Sequence, residues 1–324
     1  LFTLTYDAAN ARLAIQPSTI KWGESSVPVV GSLTNEGAAG RPATWLFDVQ
    51  STEGVLAAEE FRVAPVALDA FAAKGRILTD SGRIELAQLS AKAGGTDILF
   101  AGEVASGGGA EGGVRLQGTV GPVSADTGKV LWPRMVGPRA RDWVGENLKQ
   151  GLVRDTRMSY ASGGFAGPDA VLAKGQIRES TSVTLNVEDV EIVPFKGGPP
   201  VRAAKAAVTV KNADVEISVP EATLVTSEGK GLMLKGGRFA AQKIDDPLPV
   251  ADVTFRAQAG LATTLEAAKL LRFGALKARD LPTGAIDGKF DGQFKVKVPL
   301  ATELDPDSIG VEGKAVFGGV PWQR

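Results

Sequence analysis

Hydrophobic and polar residues alternate along most of this chain with a period of two. Arg83 to Leu89 (RIELAQL) puts Ile84 and Leu86 on one side, and Ile98 and Phe100 share a side in the next run. After a glycine-rich stretch, SGGGAEGG from Ser106 to Gly113, the alternation resumes with Val114, Leu116, Gly118 and Val120. Further on, Val183, Leu185 and Val187 alternate with Thr184 and Asn186, and Val208 and Val210 with Thr209 and Lys211. Glu216 and Ser218 separate Val215, Ile217 and Val219, and Thr254 separates Val253 from Phe255. Phe290, Phe294, Val296 and Val298 alternate with Asp291, Lys295 and Lys297. Neighbouring side chains of a strand point to opposite faces, so each run predicts a strand with one apolar and one solvated face. A wet face is the habit of antiparallel sheet. Short turns such as Lys211-Asn212-Ala213-Asp214 predict a meander of sequential strands. Before Val49 the runs FTLTY, ARLAI, VPVVGSL and TWLFDV read as strands as well.

Two stretches break the rhythm. VLWPRMVGPRARDWVGENLKQG, from Val130 to Gly151, predicts an amphipathic helix over 137–150. Pro133 and Pro138 bracket its entry, where a missing N–H costs nothing. Val136, Ala140, Trp143, Val144 and Leu148 fall on one side at helical spacing. Arg139 with Asp142, and Glu146 with Lys149, make opposite-charge pairs on the other side, and Gly151 is the stop. A second helix is expected over 264–271, because Thr263 and Glu266 have capping-box spacing and Leu265, Ala268 and Leu271 share a face. A short helix is also possible around Val66 to Ala73, since Pro65 excludes only a longer one.

The expected fold is therefore mostly β, a long antiparallel sheet with two short helices. About twenty strands each bring an apolar face, far more than two helices can cover, and soluble monomers seldom leave more than a few hundred Å² of such surface open. The sheet can pack on a second sheet as a β-sandwich, close into a barrel, or curl into a U-shaped apolar trough lined by something else. Periodicity does not choose among them.

Composition narrows the chemistry. The 324 residues carry 36 basic and 37 acidic side chains without a strong block of either sign, so no nucleic-acid partner is expected. With no cysteine and no histidine, thiol nucleophiles, Cys/His zinc sites and serine–histidine triads are excluded. The Ser106–Gly113 glycines lack the lysine and following helix of a phosphate-binding loop. Asp245-Asp246 and Glu59-Glu60 are paired carboxylates, but adjacent strand residues face opposite ways and two loop carboxylates would at best hold calcium. No catalytic residues, metal or cofactor are expected, and no enzyme. No apolar run reaches 18 residues, the length that spans a bilayer as a helix. The strand-like opening LFTLTYD and the ending VPWQR lead us to expect an excerpt of a longer polypeptide.

The segment WPRMVGPRARDWVGENLKQGLVRD resembles the Trp-Pro helix signature of the large AsmA-like proteins of Gram-negative bacteria, in particular the YhdP branch. The downstream order is similar too: VTLNVEDVEIVPFKGGPPVRAAKAAVTVKNADVEISV, then GKGLMLKGGRFAAQKIDDPLPVADVTFRAQAG, a short Leu/Ala helix, and DLPTGAIDGKFDGQFKVKVPL. The likeness covers roughly residues 81–320 and implies one continuous trough over 1–324. Its parts would be N-terminal strands over 1–128, the Trp-Pro helix over 129–151 and C-terminal strands over 152–324. It implies a periplasmic protein, anchored in the inner membrane through parts not present here, that conducts phospholipids toward the outer membrane. Partners would be phospholipid acyl chains and the two membrane surfaces. The groove would be lined by Ile98, Phe100, Val114, Leu116, Val183, Leu185, Val187, Val208, Val210, Val215, Ile217, Val219, Val253, Phe255, Phe290, Phe294, Val296 and Val298. Trp132, Pro133, Trp143, Val144 and Leu148 would set a helix against it. The alternative from another class is a structural or chaperone-like β-sandwich for outer-membrane assembly or ligand binding.

Overall fold

The structure, a computed structural model, describes residues 3–37, 42–106, 112–132, 137–166, 171–172, 178–226, 229–244, 246, 248–271, 288–300 and 308–319. It is 66% strand and 13% helical, a long antiparallel sheet, so the mostly-β expectation holds. The chain divides into two compact units, residues 1–136 with 153–184, and residues 137–152 with 185–324.

The first unit begins with β1 (Leu4–Asp7), β2 (Arg12–Trp22), β3 (Ser25–Asn35), β4 (Thr44–Ser51) and the two-residue β5 (Val55–Leu56). It continues with β6 (Val66–Leu78), β7 (Arg83–Ala93), β8 (Thr96–Ala105), β9 (Gly113–Val120), β10 (Val123–Ser124) and helix α1 (Ala125–Leu131). Helix α2 (Pro138–Asn147) lies in the second unit, and β11 (Leu148–Ser162) follows it directly. After β12 (Val171–Leu172) and β13 (Arg178–Ile192) come β14 (Val201–Lys211), β15 (Asp214–Val225), β16 (Gly231–Ala241) and β17 (Val250–Gly260). Helix α3 (Leu261–Leu271), β18 (Lys289–Pro299) and β19 (Gly310–Gly318) complete the described elements.

Both units are meanders. In the first, β1, β2, β3, β4, β6, β7, β8, β9 and β11 pair antiparallel in that order, with β5 beside β3 and β6. In the second, β14 to β19 pair in sequence order. The stretch around Val66 to Ala73, where a short helix was one possibility, is instead the start of β6. Its pairing with β7 and β4 satisfies the backbone that a short isolated helix would leave half unpaired.

Helices number three among the described residues, not two. α1 was not expected: Ser124 Oγ accepts the Thr127 N–H at 3.2 Å as its N-cap, and Asp126 sits in the first turn. The helix expected over 137–150 stops at Asn147. The Asn147 carbonyl accepts the Val193 N–H at 2.9 Å, and from Leu148 the backbone belongs to β11. Leu148 is therefore a strand residue, and Gly151 ends no helix. α3 starts three residues ahead of its expected bound, with the Leu261 N–H donating to the Gly288 carbonyl at 2.9 Å, so Thr263 and Glu266 lie inside it.

Each unit has a small buried cluster where a helix meets the sheet. In the first, Val27, Val29, Val66, Leu68 and Ala93 are buried, with Val130 and Leu131 of α1 packed on them. In the second, Leu224, Leu232, Ala257 and Phe290 are buried with Ala267 of α3, and Leu271 joins them.

Candidate functional site: the apolar sheet faces

Residues directly opposite one another in antiparallel strands share a face, so the register traces what each face presents. In the first unit one row reads Tyr6, Leu13, Leu33, Phe47, Gly75, Leu86, Gly102, Leu116 and Tyr160 across nine strands. The adjacent row reads Leu4, Ile15, Gly31, Val49, Ala73, Leu89, Phe100, Gly118 and Met158. Neither contains a charged residue. In the second unit Val208, Ile217, Phe239, Val253, Val296 and Val311 form a row across six strands. Beside it run Val210, Val215, Ala241, Ala251 and Val298.

The opposite faces are ionic. In the first unit Lys74 pairs with Asp48 at 3.0 Å, Arg76 with Glu85, and Arg83 and Arg115 both with Glu103, at 3.4 and 3.0 Å. In the second, Arg238 pairs with Glu216 at 2.9 Å and Lys295 with Asp252 at 3.4 Å. Arg256 donates to Asp291 at 2.6 Å, and this hydrogen bond, with a further one from Gln258, holds the Asp291 carboxyl down at about 2. Such exposed pairs add little stability each. Together they keep this side wet and fix which face is dry. On the dry side of the first unit, burial pushes the Tyr160 phenol up.

Large side chains on the apolar faces lie over glycines opposite or beside them. A Cβ on Gly75 would stand 2.6 Å from Phe47 Cζ, one on Gly102 2.8 Å from Leu116 Cδ2, and one on Gly118 would collide with the Phe100 ring. In the second unit Phe294 lies over both Gly292 and Gly313, at 2.7 and 2.6 Å from their would-be Cβ atoms. Phe255, Phe294 and Phe290 stack in series, with centroids 5.5 and 6.0 Å apart.

The expected lining falls on these faces. Phe100 and Leu116 lie in the first unit's two rows, and Ile98, opposite Val120, and Val114, opposite Val104, flank them on the same face. Val183, Leu185 and Val187 of β13 are half-buried and alternate with exposed Ser182, Thr184 and Asn186. Val208, Val210, Val215, Ile217, Val253, Phe255, Phe294, Val296 and Val298 lie together, and Val219 faces Gly237. Phe290, under α3, and Val296 are buried rather than open. Of the helix residues, Val144 and Trp132 are half-buried, Leu148 begins a strand, and Trp143 is 43% exposed. Pro133 and Asp245 lie outside the described residues.

Strict alternation missed residues beyond bulges. β16 slips one register between Lys235 and Arg238 at Gly236, whose φ is +59°, so Leu232 and Leu234 share a face with Phe239 and Ala241 despite opposite parity. β7 does the same between Leu86 and Leu89. The Gly-Gly step at Gly236-Gly237 was the available signal.

Most row residues away from α1 and α3 are half-buried, neither core nor fully open. A shallow depression also lies over the ionic side of the first unit, lined by Thr34, Asp48, Arg76, Glu103 and Arg115. A twisted sheet is saddle-shaped, so each face is concave along one diagonal. No helix among the described residues is long and apolar enough to cross a membrane. No family model, curated protein or solved structure matches the chain.

Proposed function

We propose that this chain is a segment of a periplasmic lipid bridge that carries phospholipids along its apolar sheet faces, between the inner and outer membranes of a Gram-negative cell. The observation that carries the reading is the register: charge-free rows cross nine strands in one unit and six in the other, behind ion-paired outer faces. Acyl chains laid along such rows recover up to about 0.8 kcal/mol per methylene buried, while headgroups stay in water. Aromatic and aliphatic rows without a charged residue give an acyl chain little to hold it in one place, which suits passage better than storage. The residues with chemistry elsewhere, such as the Arg256–Asp291 pair, are engaged with each other on the wet side.

The test uses the sheet's two sides. A photo-crosslinking residue at Ile217 or Val253 captures phospholipid in a Gram-negative host, whereas one at Glu216 or Thr254, on the opposite face, does not. Equal capture from both faces, or a native mass spectrum of the purified protein free of lipid, overturns the proposal. A lipid-free dry interior would favour the sandwich module instead.

A further inference from the structure

The wet face of the first unit carries an arginine without a counter-ion. Elsewhere on that face arginines are neutralised: Arg76 pairs with Glu85, and Arg83 and Arg115 share Glu103. The guanidinium of Arg157, on β11, has neither an ion pair nor a hydrogen bond among the described residues. It stands exposed in a second depression, of about 670 Å³, beside the ionic one. Gln117 and Thr119 of β9, Ser159 of β11, and Ser182 and Thr184 of β13 line that depression with it, and no carboxylate does. The register brings these side chains together. β11 lies between β9 and β13, with Arg157 opposite Thr119 and Ser159 opposite Gln117. All five neutral side chains are exposed, so their hydroxyl and amide groups are open to a ligand.

We infer that this depression is a binding site for a phosphate group, carried on a small hydroxyl-bearing molecule or free in solution. With no carboxylate beside it, the Arg157 fork keeps its full charge and its donors for an anion, and a guanidinium takes two phosphate oxygens side by side. Thr119 on one flanking strand, and Ser182 and Thr184 on the other, supply hydroxyl donors for a third oxygen. A planar carboxylate has only two oxygens and leaves that part of the site unused. A cationic ligand would find no acidic partner here, and an apolar one would cut the guanidinium off from water without replacing its hydrogen bonds. Gln117 remains to hold hydroxyls of the group that carries the phosphate. The site lies on the wet face and does not depend on what occupies the dry one.

The experiment is a titration of the whole chain with glycerol 3-phosphate, followed by NMR on the Arg157 Nε–H and on the backbone N–H of Ser159, which stays readable when Arg157 is replaced. Both signals shift and saturate with one phosphate per chain, and glycerol alone moves neither. Arg157→Gln weakens binding roughly tenfold or more, as loss of a charged hydrogen-bonding partner does. Lys21→Gln, which removes an exposed cation from β2 of the same unit, leaves binding unchanged. Ser182→Ala combined with Thr184→Ala weakens it severalfold without touching the charge. Inorganic phosphate as competitor separates the two sources: equal affinity assigns the site to free phosphate and weaker affinity to the ester, and either supports a phosphate at Arg157. Shifts that do not saturate, Lys21→Gln weakening binding as much as Arg157→Gln, or acetate binding as tightly as glycerol 3-phosphate would overturn the inference. Far-UV circular dichroism of each variant establishes that it is folded.

Discussion

The pairing of a large side chain with a glycine across strands is the smallest unit of this design. Phe47 over Gly75 and Phe294 over Gly313 occupy the space a side chain on the glycine would need, and at Gly75 a Cβ would meet the Glu85 backbone oxygen more closely still. Gly75→Ala should therefore cost about 1–3 kcal/mol in denaturant unfolding, as overpacking does. No loss of stability would mean that the ring and the Glu85 backbone both give way freely. On the opposite face the residue-scale test is electrostatic. Asp291 is held near 2, below the ordinary value of about 3.9, first by the Arg256 hydrogen bond and then by Gln258. A lowered carboxyl pKa stabilises the fold above the unfolded-state value, and that contribution is lost as pH falls toward about 2. In Arg256→Gln the Asp291 carboxyl should titrate back toward the ordinary range, read by carboxyl NMR. An unchanged titration would assign the shift to other neighbours.

At the scale of elements, α1 and α3 act as caps on apolar faces. α3 buries Leu232, Leu224 and Phe290, while Ile217 stays half-buried beyond its reach. Leu232→Ala should cost about 2–4 kcal/mol, and Ile217→Ala clearly less, since truncation of a partly open side chain leaves no sealed cavity. Equal losses at the two sites would mean that something covers Ile217 as thoroughly as α3 covers Leu232. For α1 the Ser124 cap predicts that Ser124→Ala costs about 0.5–2 kcal/mol and speeds hydrogen exchange in that helix first. The elements also show where sequence patterns stop being informative. Helical spacing of Trp143, Val144 and Leu148 extended α2 too far, because spacing does not record that Val193 takes the Asn147 carbonyl for the sheet. Period-two counting likewise failed at Gly236 and between Leu86 and Leu89, where one extra residue returns the side chains to the same face. The rows between bulges were readable because each strand there obeys the pleat.

For the molecule as a whole, the imbalance between many one-faced strands and little helix was visible in the sequence, and what lies on the apolar faces was not. Alternation reports that a side is dry without saying against what. The two faces make opposite predictions about any ligand, and a near-neutral chain of net charge −1 adds no long-range attraction to blur them. A short-chain zwitterionic phospholipid bound through its acyl chains should raise the thermal midpoint with concentration, by roughly 2.7 kcal/mol of added stability at a hundred times its Kd. The rise should persist in 1 M salt, where the Debye length is about 3 Å. It should disappear in Ile217→Asp combined with Val253→Asp, because an acyl chain beside two carboxylates loses the apolar contact that bound it. Binding through the ionic depression around Asp48, Arg76 and Glu103 would behave the other way, preferring anionic headgroups, fading in salt and ignoring both substitutions. That pattern would move the site to the wet face and end the case for a lipid path along the dry one.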